Sequence, residues 1–231
     1  MSGIIIKDSQ VADVSACVGE FVDIYYNSQK KTPPQTPHWK TLPTLAAKKC
    51  YIEAIAQKSF VQVVVAIWKE KLTRAALINQ SAYLYRYAFN LMAQRVSWFV
   101  HENDGWVKFV CSTGKSLKLN HLRREVYTSM YSPRWDFRPV FDPSEIQQNT
   151  MGNNRTLCVA DACASVYGAA LNPVHGRNPS VRPQFADQIT DKLYRHDGML
   201  FSYGLKLFPT EQTVIKQMFR RYMFLKSWLK E

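Results

Sequence analysis

The sequence predicts an α/β protein, a sheet with helices packed on both faces. Phe60 to Trp68 (FVQVVVAIW) is an unbroken, largely β-branched run, the mark of a central strand covered on both sides. Around it, short strand-like runs alternate with segments whose apolar residues recur at helical spacing. The scale fits one sizeable core, with or without an appendage. The chain has 231 residues, 46% of them apolar, which excludes wholesale disorder.

The elements follow in order. Residues 2–7 (SGIIIK) read as a short strand opened by Gly3. Asp8 or Ser9 then offers an N-cap to a helix carrying Val11, Val14, Cys17, Phe21, Ile24 and Tyr25, which ends before Gln29. A basic, proline-punctuated loop at 30–37 delivers His38 and Trp39, and a second helix spans 43–58. After the strand at 60–68 comes a long helix from about Asn79 to Glu102, broken by Gly105. A strand at 106–111, a helix at 117–130, a short strand at 137–141 and a helix at 155–171 follow. An irregular basic loop at 172–183, a short helix at 184–193, a strand near 201–207 and an amphipathic helix from 210 to 230 complete the reading. The organisation expected is a domain at 1–209 with a basic amphipathic helix at 210–231 added to it.

Charge bounds the partner. Thirty Lys and Arg against eighteen Asp and Glu leave a net charge of +12, which favours a polyanion such as nucleic acid. No run reaches the roughly 18 apolar residues of a membrane span, because Lys69, Lys71 and Arg74 end the longest one. Residues 1–7 carry no export leader. Cys17, Cys50, Cys111, Cys158 and Cys163 are odd in number and form no Cys-x-x-Cys pair, so the expected compartment is the cytoplasm. No His-x-x-x-His pair suggests a zinc cage.

Two residues break their surroundings. On the helix at 79–102, Arg95 falls inside the apolar arc of Leu84, Ala88, Leu91, Met92 and Phe99, while Arg86, Asn90, Gln94, Ser97 and His101 take the polar side. A guanidinium there needs loop carbonyls, a route to the rim, or a bound anion. On the helix at 155–171, Asp161 is the one carboxylate among small apolar residues (LCVADACASVYGAAL). It must pair with a cation, Arg95 being a plausible one, bind a metal, or stay protonated. Basic and aromatic residues interleave at 134–138 (RWDFR), and again on the last helix, where Ile215, Met218, Tyr222, Leu225 and Leu229 form a stripe beside Lys216, Arg220, Arg221 and Lys230.

Several of these motifs together resemble one family. They are His38-Trp39 after the Pro-rich loop, the strand ending at Lys69, and Leu84 to Phe99 with Arg95-Val96-Ser97-Trp98. Leu157 to Asp161 and the late run Tyr194-Arg195, Tyr203-Gly204-Leu205-Lys206 and Pro209 continue the same order. The likeness, collinear over residues 2–209, is to the bacterial and phage family called domain of unknown function 3800. It implies a ribonuclease H-like mixed sheet flanked by helices on both faces, and metal-dependent phosphodiester chemistry using Mg²⁺ or Mn²⁺. Asp161 would be the metal ligand, with His38 and Glu102 as its catalytic companions. Lys69, Arg95, Arg134, Arg138, Lys206, Arg220 and Arg221 are the expected nucleic-acid contacts.

The chain departs from the family pattern in three places. The family's opening strand with an Asp-Glu-Ser motif would lie upstream of Gly3, and its Gln-Leu-Ala-Asp signature is here Cys158-Val159-Ala160-Asp161. The strand at 106–111 also runs into Cys111-Ser112-Thr113, where a ribonuclease H-like site often offers a carboxylate. A pair of catalytic cations needs several carboxylates, and Asp161 alone does not supply them. The expectation is therefore a nucleic-acid-interacting, nuclease-like domain of a phage, mobile-element or defence-type system with impaired hydrolysis. The alternative is a non-catalytic nucleic-acid- or protein-binding accessory that keeps the fold.

Overall fold

The computed structural model describes residues 1–30, 32, 34, 36–72, 81–112, 118–172 and 182–229. The expected start of the long helix at Asn79, residues 173–181 of the basic loop, the Leu229 side chain and Lys230 lie outside what is described. A mixed sheet runs β1 (Ser2–Ile5), β2 (Val61–Ile67), β5 (Leu205–Phe208), with β2 central, antiparallel to β1 and parallel to β5. A second, two-stranded parallel sheet pairs β3 (Val110–Ser112) with β4 (Gln147–Asn149). The helices are α1 (Val11–Phe21), α2 (Leu45–Ala56), α3 (Ser81–Glu102), α4 (Leu119–Met130), α5 (Thr156–Leu171) and α6 (Gln212–Arg221).

The run of β-branched residues in β2 does what its pattern predicts. Because side chains alternate across a strand, Val63 and Val65 pack into a core built on α3, and Val64 packs into the core built on α1, α2 and α5. Residues of β1 alternate likewise. Met1 and Ile5 face the α3 core, and Ile4 and Ile6 face the α5 core. Gly3 turns toward α3, where a Cβ would stand 2.6 Å from Met92 Sδ, so its lack of a side chain lets α3 close on the sheet. Gly204, leading into β5, is tighter still. A Cβ there would lie 2.3 Å from the Tyr194 carbonyl oxygen, while the Gly204 carbonyl accepts from Val64 N–H at 2.7 Å.

Several expectations need correction. The stretch 137–141 is not a strand; its Pro139 has no N–H to give a ladder, and β3 pairs instead with Gln147–Asn149. Only the end of 106–111 enters β3, and 184–193 forms 3-10 turns at Pro183–Phe185 and Asp187–Lys192 rather than a helix. The last helix stops at Arg221, because Tyr222 takes φ −122°, ψ 75°, and the chain resumes as a 3-10 turn over Met223–Leu229. That break puts Trp228 into the core beside Met218, Tyr222 and Leu225. The polar side of α3 is also buried in part, with Asn90 2%, Gln94 8% and Ser97 0% exposed. Asn90 donates to Ser129 Oγ on α4 at 3.0 Å, and Ser97 Oγ accepts from Arg138 N–H at 3.0 Å. Among the described residues no helix is long and apolar enough to cross a membrane.

Candidate functional site

Helix α5 is rich in Ala and Cys, and nine of its residues are buried. Asn154 Oδ1 accepts from Thr156 N–H and Oγ1–H and so stands in for a cap. The Asp161 carboxylate leaves this helix toward the turn at His38–Trp39. His38 Nδ1 accepts from Lys40 N–H at 3.2 Å, which leaves Nε2 as the protonated nitrogen of the neutral ring, and it faces Asp161 Oδ1 at 3.5 Å. Trp39, buried edge-on against Phe185, anchors the turn and gives its backbone N–H to Asp161. The other oxygen, Oδ2, is buried and among the described residues has no partner. Burial raises the Asp161 pKa above the ordinary carboxylate value, against the opposing pull of His38, the Trp39 N–H and Lys40.

Arg95 and Asp161 do not pair. The Arg95 guanidinium, 3% exposed, donates to the carbonyls of Ser202 at 2.8 Å and Leu91 at 2.6 Å and to Gln94 Oε1 at 3.0 Å, and its carbon stands 5.2 Å from the Trp98 ring. It sits on the α3 side of the sheet and Asp161 on the α5 side, so the sheet's own layer keeps them apart. Burial lowers the Arg95 pKa to about 10, and the group stays charged at neutral pH.

Glu102 lies elsewhere. Tyr194 OH donates to both its oxygens at 2.8 and 2.7 Å, and His196 Nδ1 meets Oε1 at 2.7 Å, with the imidazole stacked on Tyr203 at 4.7 Å. Burial, and then that carboxylate, push the Tyr194 phenol well up. Among the described residues no three His, Cys, Asp or Glu gather in a way that could hold a metal. One carboxylate and one imidazole do not fit a pair of Mg²⁺ or Mn²⁺ ions, which demand oxygen-rich octahedra.

A basic and aromatic face forms on the α3 side. Lys206 projects from β5 on the same side as Phe208, whose ring lies 5.0 Å from Tyr87; Tyr87 in turn meets Trp135 at 5.8 Å. Trp98 meets Tyr203 at 5.6 Å, and its indole N–H donates to the Asp136 carbonyl, which fastens the 134–138 segment to α3. Burial, and then the charge of Arg95, lower the Lys206 pKa to about 8, and among the described residues no carboxylate pairs with it. Arg134 is exposed on this segment, and among the described residues Arg138 is paired only with Asp136, at 3.3 Å.

Lys69 and Arg221 lie apart from that face, along one cavity. Arg221 and Lys71 both lie over the Trp68 ring, Arg221 reaches Glu70 at 3.7 Å, and Arg220 is exposed. The structure thus brings together Asp161 with His38, and Arg95 with Lys206, while Arg134 and Arg138 lie on the segment that Trp98 fastens to α3. Trp98, Trp135 and Tyr203 stand out in the sequence; the ring that joins them and does not is Tyr87, whose signal is the i, i+4 pair Tyr83–Tyr87, stacked at 6.3 Å. No family model, curated protein or solved structure matches the chain.

Proposed function

We propose that this chain binds nucleic acid on the α3 face, as a ribonuclease H-like, nuclease-type domain of a phage, mobile-element or defence system. The motifs shared with the domain 3800 family and the mixed α/β architecture support the class. One observation carries the binding. Two like charges, Arg95 and Lys206, are held together amid partly exposed rings, and among the described residues no acid offsets Lys206. Keeping such a pair charged is costly, and a phosphate seated against Lys206 relieves the cost. Tyr87, Trp98, Trp135 and Tyr203 then offer surfaces on which unstacked bases rest, the arrangement that suits a single strand. Arg134 and Arg138 extend the positive track.

Hydrolysis is not part of the reading. His38 and Asp161 would be the residues to touch a reacting phosphate, and the described donors give them no second carboxylate. The test is fluorescence anisotropy with labelled single-stranded DNA and RNA across a salt series. Affinity should fall steeply with salt and fall further in Lys206→Met. Affinity independent of salt, or unchanged in that variant, would remove the basis for the proposal.

A further inference from the structure

Among the described residues the two sheets do not join, and the space between them is a cleft of ≈ 1360 Å³. One side is lined by residues 1–6 of the β1 edge, the other by residues 106–112 leading into β3. Phe89 and Met92 of α3 wall it on one face of the sheet, and Ala160 and Ala164 of α5 on the other. The volume exceeds the roughly 300–1,000 Å³ of pockets that hold small ligands.

Both margins present unused backbone. Met1 and Val65 exchange hydrogen bonds at 2.8 and 2.9 Å, so in the antiparallel ladder Gly3 and Ile5 bond to β2, and Ser2 and Ile4 turn their N–H and C=O outward. On the other margin, Gln147 N–H donates to the Phe109 carbonyl at 2.8 Å, which leaves the Val110 N–H and C=O turned away from β4. Among the described residues nothing takes up these groups. A row of amides at strand spacing, between apolar walls, matches one kind of ligand, another polypeptide backbone.

We propose that the cleft is a docking site for an extended strand of a partner protein, apolar on both faces and acidic at its flanks. Inserted there, the strand would hydrogen-bond to β1 on one edge and β3 on the other and join the two sheets into one. The apolar faces follow from the α3 and α5 walls. The acidic flanks follow from charge complementarity. Glu70 is spent on Arg221 and Trp68 and Asp161 on His38, which leaves, among the described lining residues, Lys69 and Lys108 against Asp8, on a chain of net charge +12. Asp161 is also among the residues that line the cleft.

The probe is a synthetic peptide of about eight residues, alternating Val and Ile with Glu at both ends. It is titrated into the full chain while amide hydrogen exchange is followed. Binding should slow exchange at Ile4 and Val110, whose N–H groups face the cleft. Ile4→Pro and Val110→Pro each remove one outward N–H without touching the ladders to β2 or β4, so each should keep its circular dichroism and lose at least roughly tenfold in affinity. A version of the peptide with Pro at alternate positions should not bind. The proposal is overturned if the peptide fails to bind at millimolar concentration, or binds without protecting either amide. It is overturned equally if either folded Pro variant binds as the wild type does, or if an oligonucleotide protects the same two amides in the peptide's place.

Discussion

Asp161 holds His38 Nε2 with one carboxylate oxygen, at 3.5 Å, and keeps the other buried with no partner among the described residues. Its raised pKa has a definite sign for stability. The folded protein binds a proton here that the unfolded chain releases near 3.8, so stability falls as pH rises from 3.8 through the folded-state value, and stays lower above it. Asp161→Asn removes the charge, keeps the acceptor for Trp39 N–H and lets the amide donate. The variant should be more stable than the parent by about 1 kcal/mol at pH 7, with the gap closing below pH 4. Urea unfolding at the two pH values checks this. A less stable variant at pH 7 would mean that the His38 contact outweighs the burial of the charge.

Lys206 gives the opposite slope. Its folded pKa of about 8 lies below the ordinary 10.5, so the free protein carries a penalty below pH 8 that disappears as the group deprotonates. Thermal stability should rise between pH 8 and 10 in the parent relative to Lys206→Met. Nucleic-acid affinity should fall over the same interval, because the neutral amine no longer attracts phosphate. At fixed pH the Met variant should lower the salt slope of binding by about one. Parallel anisotropy and melting series measure both, and a pH-independent affinity would detach Lys206 from the binding face.

The residue patterns identified which side chains were out of place, and the partners depended on tertiary layering. The unbroken run of β2 and the small residues of α5 announced central burial because each pattern is a direct consequence of the layer it occupies. Arg95 was recognisable as a buried cation from its place on the helix arc. Which group it met was not, since helical spacing fixes a face and not what the face opposes; the Ser202 carbonyl comes from 107 residues away. The strand at 147–149 is polar throughout (QQN) and lies beside the more apolar 137–141, so pattern favoured the wrong segment and backbone pairing with β3 chose the other. Tyr222 breaks the last helix with neither Gly nor Pro to announce it.

Arg95 is held by geometry that Lys cannot copy. Three separate acceptors lie around the guanidinium fork, and an ammonium reaches at most some of them from a shorter stem. Arg95→Lys should cost about 2 kcal/mol by leaving a buried carbonyl unpaired. Because Arg95 also fastens the Ser202 turn that leads into β5, the loss should appear in hydrogen exchange at 202–206 before it appears globally. Uniform weakening across the chain would show that the contact is not a local clasp.

The two tight glycines separate by what stands opposite them. A methyl group at Gly204 meets the Tyr194 main chain at 2.3 and 2.6 Å, and neither backbone can retreat without breaking the bond from Val64 N–H to Gly204 or the one from Tyr194 N–H to Gln62, at 2.9 Å. Gly204→Ala should therefore cost about 3 kcal/mol or more, enough to shift a urea midpoint by more than 1 M for a chain of this size. At Gly3 the opposing atom is Met92 Sδ, the end of a flexible chain that can swing aside into the neighbouring cleft. Gly3→Ala should cost less than about 1.5 kcal/mol, and pairing it with Met92→Ala should recover part of that loss. Measured in the same urea series, equal costs at the two positions would mean that the Met92 side chain is as immovable as backbone. The free volume between the sheets would then be closed to any strand entering past it.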